Sequence, residues 1–363
     1  MVHRAAQGQV GRACQFLRRR SVGAIRRLLL PMMSGRGHPV EDRSSLEQWR
    51  LFGSSVKGAS HKRKRKPNQD AIGWWSSSNG RSRSRQVVET QLPVIMAVAD
   101  GHGGEVYARS ARGAQLAVGC AIKLLSEVLT NLRANPVSYS LLKWEVKERL
   151  ARDLVQRWLA AVDQDIKRKP VPEPTEDARR LYGTTLLVAT VVDEFMLFVQ
   201  IGDGDIRIVT QEGEINDPFR NEGRMLGNET YSLCTKEVWK QALVHFQMIG
   251  QRPPALILLA TDGYSNSFST IADFDRVGPD LLNVIRTEGV AKTAARLAKW
   301  LQATSEEGSG DDITLGVICR LASSAPASGL LDSMAGQSPQ DQVPSDDATG
   351  DARADEFRGS CAG

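Results

Sequence analysis

Four aspartates, Asp70, Asp100, Asp262 and Asp311, each border a stretch that reads as a β-strand. Asp100 ends the apolar run 92–99 (LPVIMAVA) and Asp262 follows 255–260 (ALILLA), each with a glycine next in line, Gly101 and Gly263. Glycine permits the close turn that throws a carboxylate past a sheet edge and bares a backbone carbonyl. One Asp-Gly alone is usually only a turn. Here apolar strand, Asp and Gly recur together, once with His102 adjacent. Such strand ends side by side would pool carboxylates in one cleft, and cations would have to neutralise their repulsion. Oxygen ligands that retain water select hard ions, Mg²⁺ or Mn²⁺. A neighbouring histidine is the side chain most often used to pass a proton.

Other chemistries lack their residues. The five cysteines, at positions 14, 120, 234, 319 and 361, form no CxxC pair. Their odd number and wide spacing argue against a disulfide scaffold and fit a reducing, cytoplasmic compartment. The five histidines include no His-x-x-x-His zinc pair. Gly-x-Gly-x-x-Gly and a Walker A loop are absent.

The elements that must position these aspartates alternate loosely. Strands are expected at 49–56, 92–99, 184–192, 195–201, 205–209, 255–260 and 313–320. Helices are expected at about 105–129, 138–167, 278–287 and 289–303. In the second, Leu150, Leu154, Trp158, Val162 and Ile166 recur every four residues. Trp144 and Trp158 read as core residues. Asp193-Glu194 reads as one hairpin turn and Gly202-Asp203-Gly204 as the next. Helices in pairs and strands in meandering runs predict an α+β layered architecture of antiparallel sheets with helices outside.

Charge locates the ends. Residues 1–40 hold eight arginines and no acid, and residues 321–363 hold seven acids against two arginines. The arm's +8 and the tail's −5 leave about +2 of the total +5 for the middle. The expected organisation is a basic, disordered arm at 1–44, one domain at 45–321 and an acidic, disordered tail at 322–363. The basic arm and the run His61-Lys62-Arg63-Lys64-Arg65-Lys66 carry no interleaved aromatics, so nucleic acid is not the expected partner. No apolar run reaches the length of about 18 residues that a membrane span needs, and no membrane partner is expected.

The run Asp100-Gly101-His102-Gly103-Gly104 resembles the signature of the type 2C, metal-dependent protein Ser/Thr phosphatases. In the family's order follow Asn68-Gln69-Asp70, Tyr182-Gly183-Thr184-Thr185, Gly202-Asp203, Thr261-Asp262-Gly263 and Asp311-Asp312-Ile313-Thr314. Gly58-Ala59-Ser60-His61 ahead of Asn68-Gln69-Asp70 is more similar to bacterial members than to animal ones. The resemblance spans roughly 50–320 and implies a four-layer αββα sandwich, with two antiparallel sheets flanked by helix pairs.

It also implies roles. Asp100 would bridge two Mg²⁺ or Mn²⁺ ions, the Gly101 carbonyl would ligate the second, and Asp262 and Asp311 would complete the first. Asp70 and Gln69 would act on metal-bound waters. A hydroxide shared by the two ions would attack phosphorus directly, and His102 would protonate the departing seryl or threonyl oxygen. Arg65, five residues before Asp70, would grip the phosphate. A third ion would draw on Asp203, Asp262 and Asn266, and the neutral Asn266 argues against it. Asp312 aligns with the asparagine that usually follows the ligand, and Gln69 with a residue that is often Glu. Residues 212–252 would form a variable flap. The implied activity is hydrolysis of phosphoserine and phosphothreonine on proteins, with a cognate Ser/Thr kinase as a partner. The rival is a catalytically silent scaffold that binds phosphoproteins, and the full set of aspartates speaks against it.

Overall fold

The computed structural model describes residues 48–82, 87–172, 175–220, 231–250 and 252–321. The expected arm and tail lie outside these residues. The first sheet contains β1 (Gln48–Val56), β4 (Val88–Thr90), β8 (Asp205–Val209), β9 (Ile215–Asn216), β11 (Leu256–Ala260) and β12 (Ile313–Leu321), in the order β4-β1-β12-β11-β8-β9. The second contains β2 (Ala71–Ser76), β3 (Gly80–Ser82), β5 (Val94–Ala99), β6 (Leu186–Val191), β7 (Phe195–Ile201) and β10 (Leu243–Met248), in the order β10-β7-β6-β5-β2-β3. Every pairing is antiparallel.

Side-chain alternation builds the layers. In β6, Leu187, Ala189 and Val191 join the core between the sheets, while Leu186 and Val188 face the helices. A strand buried on both faces reads as a continuous apolar run, which is why β5, β6 and β11 were legible. Helices α1 (Ala59–Arg63), α2 (Ser110–Ala134), α3 (Tyr139–Glu145) and α4 (Ala151–Arg168) come first in the chain. Of these, α2 and α4 cover the second sheet, and a π-helical turn at Val146–Leu150 joins α3 to α4. After α5 (Thr175–Arg180), α6 (Asp262–Ser265) and α7 (Ile271–Asp275), the pair α8 (Val277–Glu288) and α9 (Val290–Glu307) covers the first sheet. The outcome is the helix–sheet–sheet–helix sandwich.

By length and composition α2 could cross a membrane, but its apolar face, including Ala114, Ala117, Val118, Ala121 and Leu125, is buried against the second sheet. Trp158 is 1% exposed and its indole N–H donates to the Gly113 carbonyl at 3.0 Å. Trp144 departs from the sequence reading: it is 54% exposed, because it points away from the seam that Leu142 and Val146 fill. Gly202-Asp203-Gly204 is not a hairpin turn either, since it carries the chain from β7 in one sheet to β8 in the other. The crossing is tight: Gly202 has φ +103°, and a Cβ on Gly204 would stand 2.7 Å from Leu187. The expected flap contributes β9 and β10 as edge strands, and its Arg224–Asn228 stretch lies outside the described residues.

Candidate active site

Antiparallel register gathers the functional strand ends at one end of the sandwich. In the second sheet Ala71, just after Asp70, pairs with Ala99, just before Asp100, and Gly101 bridges to Thr184. In the first sheet Val56 pairs with Ile313, and Ala260 pairs with both Leu315 and Asp205. There a cleft of about 160 Å³ is lined by His61, Gln69, Asp100, Gly101, His102, Gly103, Thr185, Asp203, Asp262 and Asp311.

Each acid is held by its neighbours. Asp70 is buried, and its Oδ2 accepts hydrogen bonds from the hydroxyls of Thr261 at 2.9 Å and Thr314 at 2.7 Å. The Asp100 backbone is fixed by the next strand: its N–H donates to Thr185 Oγ1 at 3.0 Å, and its carbonyl accepts from Thr184 Oγ1 at 2.7 Å. Asp262 Oδ2 accepts from the exposed Asn266 side chain at 3.1 Å. Asp311 lines the cleft, whereas Asp312 is buried beside it. Asp312 Oδ1 accepts from Gly58 N–H at 2.7 Å and its Oδ2 from Gln69 N–H at 2.6 Å. Gly58 and Gly263 allow this packing, because a Cβ on either would run into the backbone at Asp311 and Asp312.

Electrostatics shows what the cleft lacks. Burial pushes the Asp70 carboxyl up to about 8, the Asp312 charge adds to it, and the two threonine hydroxyls oppose it. Burial holds Asp100 well above the usual carboxylate range, reinforced by Asp70 and Asp262. Asp262 is raised by burial and by the charges of Asp203 and Asp311. Asp70 Oδ1, Asp262 Oδ1 and Gln69 Oε1 are buried oxygens with no hydrogen-bond donor. Crowded carboxylates and orphaned oxygens, with no Lys or Arg among the described residues that line the cleft, are the donor set of a hard divalent cation, so these residues fit Mg²⁺ or Mn²⁺.

The Gln69 amide nitrogen is taken by the His102 carbonyl at 2.9 Å and by Ser110 Oγ, which leaves Oε1 as its free acceptor. His102 packs edge-on against Tyr107, with ring centroids 5.0 Å apart. Burial lowers its pKa, and the nearby charge of Asp203 opposes this.

Two residues change places relative to the sequence reading. Arg65 is exposed, sits at φ 56° just past α1, and is not among the cleft-lining residues. His61, given no role by the sequence, lines the cleft instead. Its Nδ1 is 2.9 Å from Asp312 Oδ2, an ion-pair distance without hydrogen-bond alignment. Thr261 and Thr314 were also missed as supports of Asp70. Their signal was the threonine flanking each late acidic motif.

A sequence profile of the family described as protein phosphatase 2C matches residues 57–302. Curated proteins give no match. Solved structures similar to the chain include Stp1, a Ser/Thr phosphatase from Staphylococcus aureus, at 12% identity and TM-score 0.47, covering 79% of this chain and 99% of that one. They include the Mycobacterium tuberculosis Ser/Thr phosphatase PstP/Ppp at 19% identity and TM-score 0.42, covering 75% and 98%. PppA, a component of type VI secretion regulation in Pseudomonas aeruginosa, matches at 16% identity and TM-score 0.45, covering 76% and 99%. The profile covers well over half of the chain, and the chain belongs to the protein phosphatase 2C family.

Proposed function

We propose that this protein hydrolyses phosphoserine and phosphothreonine on proteins in a Mg²⁺- or Mn²⁺-dependent reaction. One observation carries the reading: Asp100 from one sheet and Asp262 and Asp311 from the other meet His102 in a single cleft, with orphaned buried oxygens on Asp262 and on Asp70, next to the cleft-lining Gln69. Asp100, Asp262, Asp311 and the Gly101 carbonyl would hold two cations, and Asp70 and Gln69 would act on them through water. Bound there, divalent cations supply a water acidified enough to attack phosphorus near neutral pH. Burial lowers the His102 pKa, and the Asp203 charge offsets part of that loss for a ring that would donate a proton to the leaving oxygen. Asn266 gives its amide N–H to Asp262, which turns the donor side of the amide, not its oxygen, toward that acid. The substrate is a phosphorylated protein, a cognate Ser/Thr kinase supplies it, and the reaction is placed in the cytoplasm.

The test is Mn²⁺- or Mg²⁺-dependent hydrolysis of p-nitrophenyl phosphate and of a phosphothreonine peptide. Activity lost on adding EDTA, and lost in Asp100→Asn, supports the enzyme. A folded protein inactive with both metals would instead be the silent scaffold.

A further inference from the structure

We propose that His61 is a nitrogen ligand, through Nε2, to the cation that Asp311 holds, with Asp312 orienting its ring. The inference rests on the metal-dependent reading above and adds an imidazole to a ligand set otherwise made of oxygen.

The placement of His61 is fixed from three sides. Ahead of it, Gly58 N–H donates to Asp312 Oδ1 at 2.7 Å, Ala59 N–H to Ser305 Oγ at 3.1 Å, and Ser60 N–H to the Gly310 carbonyl at 2.8 Å. These bonds tie α1 to the segment that carries Asp311 and Asp312. The imidazole is only 12% exposed, so its position is set by packing.

The ring's two nitrogens face different groups. Nδ1 faces Asp312 Oδ2 at 2.9 Å, and Nε2 stands 3.7 Å from Asp311 Oδ1. The second distance is too long for a hydrogen bond. It suits two ligand atoms on one ion: with bonds of about 2.1 Å, ligands at right angles are about 3 Å apart and opposed ligands about 4.2 Å. His61 and Asp311 cluster with Asp312, and the atoms that could ligate a metal all lie within 4.8 Å of one another. A carboxylate beside one ring nitrogen favours the tautomer that leaves the other nitrogen's lone pair for a metal, and Asp312 stands at that contact distance without hydrogen-bond alignment in the metal-free site.

The cleft that this ring lines independently asks for an occupant. Gln69 is 7% exposed, lines the same cleft, and has an Oε1 with no donor. The chemical consequence is selectivity. Mg²⁺ prefers an all-oxygen shell, whereas imidazole suits the first-row transition ions, so the chain should bind Mn²⁺ in preference to Mg²⁺.

The experiment is pulsed electron paramagnetic resonance on the full-length protein loaded with Mn²⁺. The expected result is a ¹⁴N modulation from a coordinated imidazole, converted to the ¹⁵N pattern when the protein is made with [¹⁵N]histidine. It should persist in His102→Asn and vanish in His61→Gln. Calorimetry should show Mn²⁺ binding about 10-fold or more weaker in His61→Gln, with Mg²⁺ affinity changed less. Isotope labelling reads the native protein, so the result stands even if His61→Gln folds poorly. Mn²⁺ binding with no histidine nitrogen in the spectrum, or a signal that survives His61→Gln, overturns the assignment and leaves the carboxylate site standing. No Mn²⁺ binding at all by the folded protein would remove the metal-dependent reading and this inference with it.

Discussion

Thr314 Oγ1 stands 2.7 Å from Asp70 Oδ2, joining β12 of one sheet to the loop that enters β2 of the other. Thr261 Oγ1 holds the same oxygen, and Oδ1 is left buried without a partner. Thr314→Val keeps the shape of a fully buried side chain and deletes this bond together with the one to Ser55 Oγ at 2.8 Å. Mn²⁺ affinity should fall about 10- to 100-fold, as when other groups that orient metal ligands are removed. Unfolding free energy should fall by about 1–3 kcal/mol. Isothermal calorimetry and urea unfolding of the variant measure both. Unchanged Mn²⁺ affinity would show that Asp70 needs no such support.

Metal-free protein should lose stability as pH rises from about 5 to 8. Asp70 has a folded pKa near 8 against 3.8 in the unfolded chain, and Asp100 and Asp262 are raised too. Between those values the native state binds more protons than the unfolded state. The stabilisation is therefore complete at low pH and is lost as pH climbs through the folded values. In EDTA the melting temperature should drop across this range by about 5 °C or more. Saturating Mn²⁺ should abolish or reverse the slope, because binding then replaces protons. A flat profile in EDTA contradicts the picture of protonated, crowded acids.

His102→Asn should separate substrates by leaving group. An alkoxide from serine or threonine needs a proton, so kcat on a phosphothreonine peptide should fall about 10²- to 10⁴-fold. The p-nitrophenolate ion leaves without one, and kcat on p-nitrophenyl phosphate should fall much less. Equal losses on both substrates would mean that His102 positions something and does not donate a proton.

Arg207 is a structural counterpart to the acidic cleft. Its side chain is 4% exposed and lies 2.7 Å from Asp275, 3.1 Å from Asp205 and 3.3 Å from Asp217, with the guanidinium 5.2 Å from the Phe274 ring centre. Arg207→Met removes the cation beside the buried Asp205 and the more exposed Asp217 and Asp275, and should cost about 3–5 kcal/mol at neutral pH. The deficit should shrink in acid as the carboxylates protonate. Denaturant titrations at pH 7 and pH 4.5 give the comparison, and equal deficits would argue that packing dominates.

Sequence reading succeeded where a residue's surroundings are written next to it. Asp100 and Asp262 end strands buried on both faces, and an unbroken apolar run announces such strands. β10 hid because it is an edge strand: His245 is half-buried and Gln247 exposed between apolar neighbours, so neither alternation nor continuity stands out. Gly202-Asp203-Gly204 has ordinary turn chemistry, and nothing local says that β8 joins the other sheet. His61 was invisible as a site residue because what positions it comes from far along the chain. Gly58 and Asp312, whose bond anchors it, are 254 positions apart.

The acids are divided, with Asp70 and the cleft-lining Asp100 issuing from one sheet and the cleft-lining Asp262 and Asp311 from the other. Ions that span this division would act as a rivet between the two leaves of the sandwich. Sliding one leaf past the other would stretch every coordination bond, and prying them apart would break them. The ambient concentration of free Mn²⁺ or Mg²⁺ would then set more than turnover. It would decide how long the molecule survives proteases, whose access depends on the leaves parting.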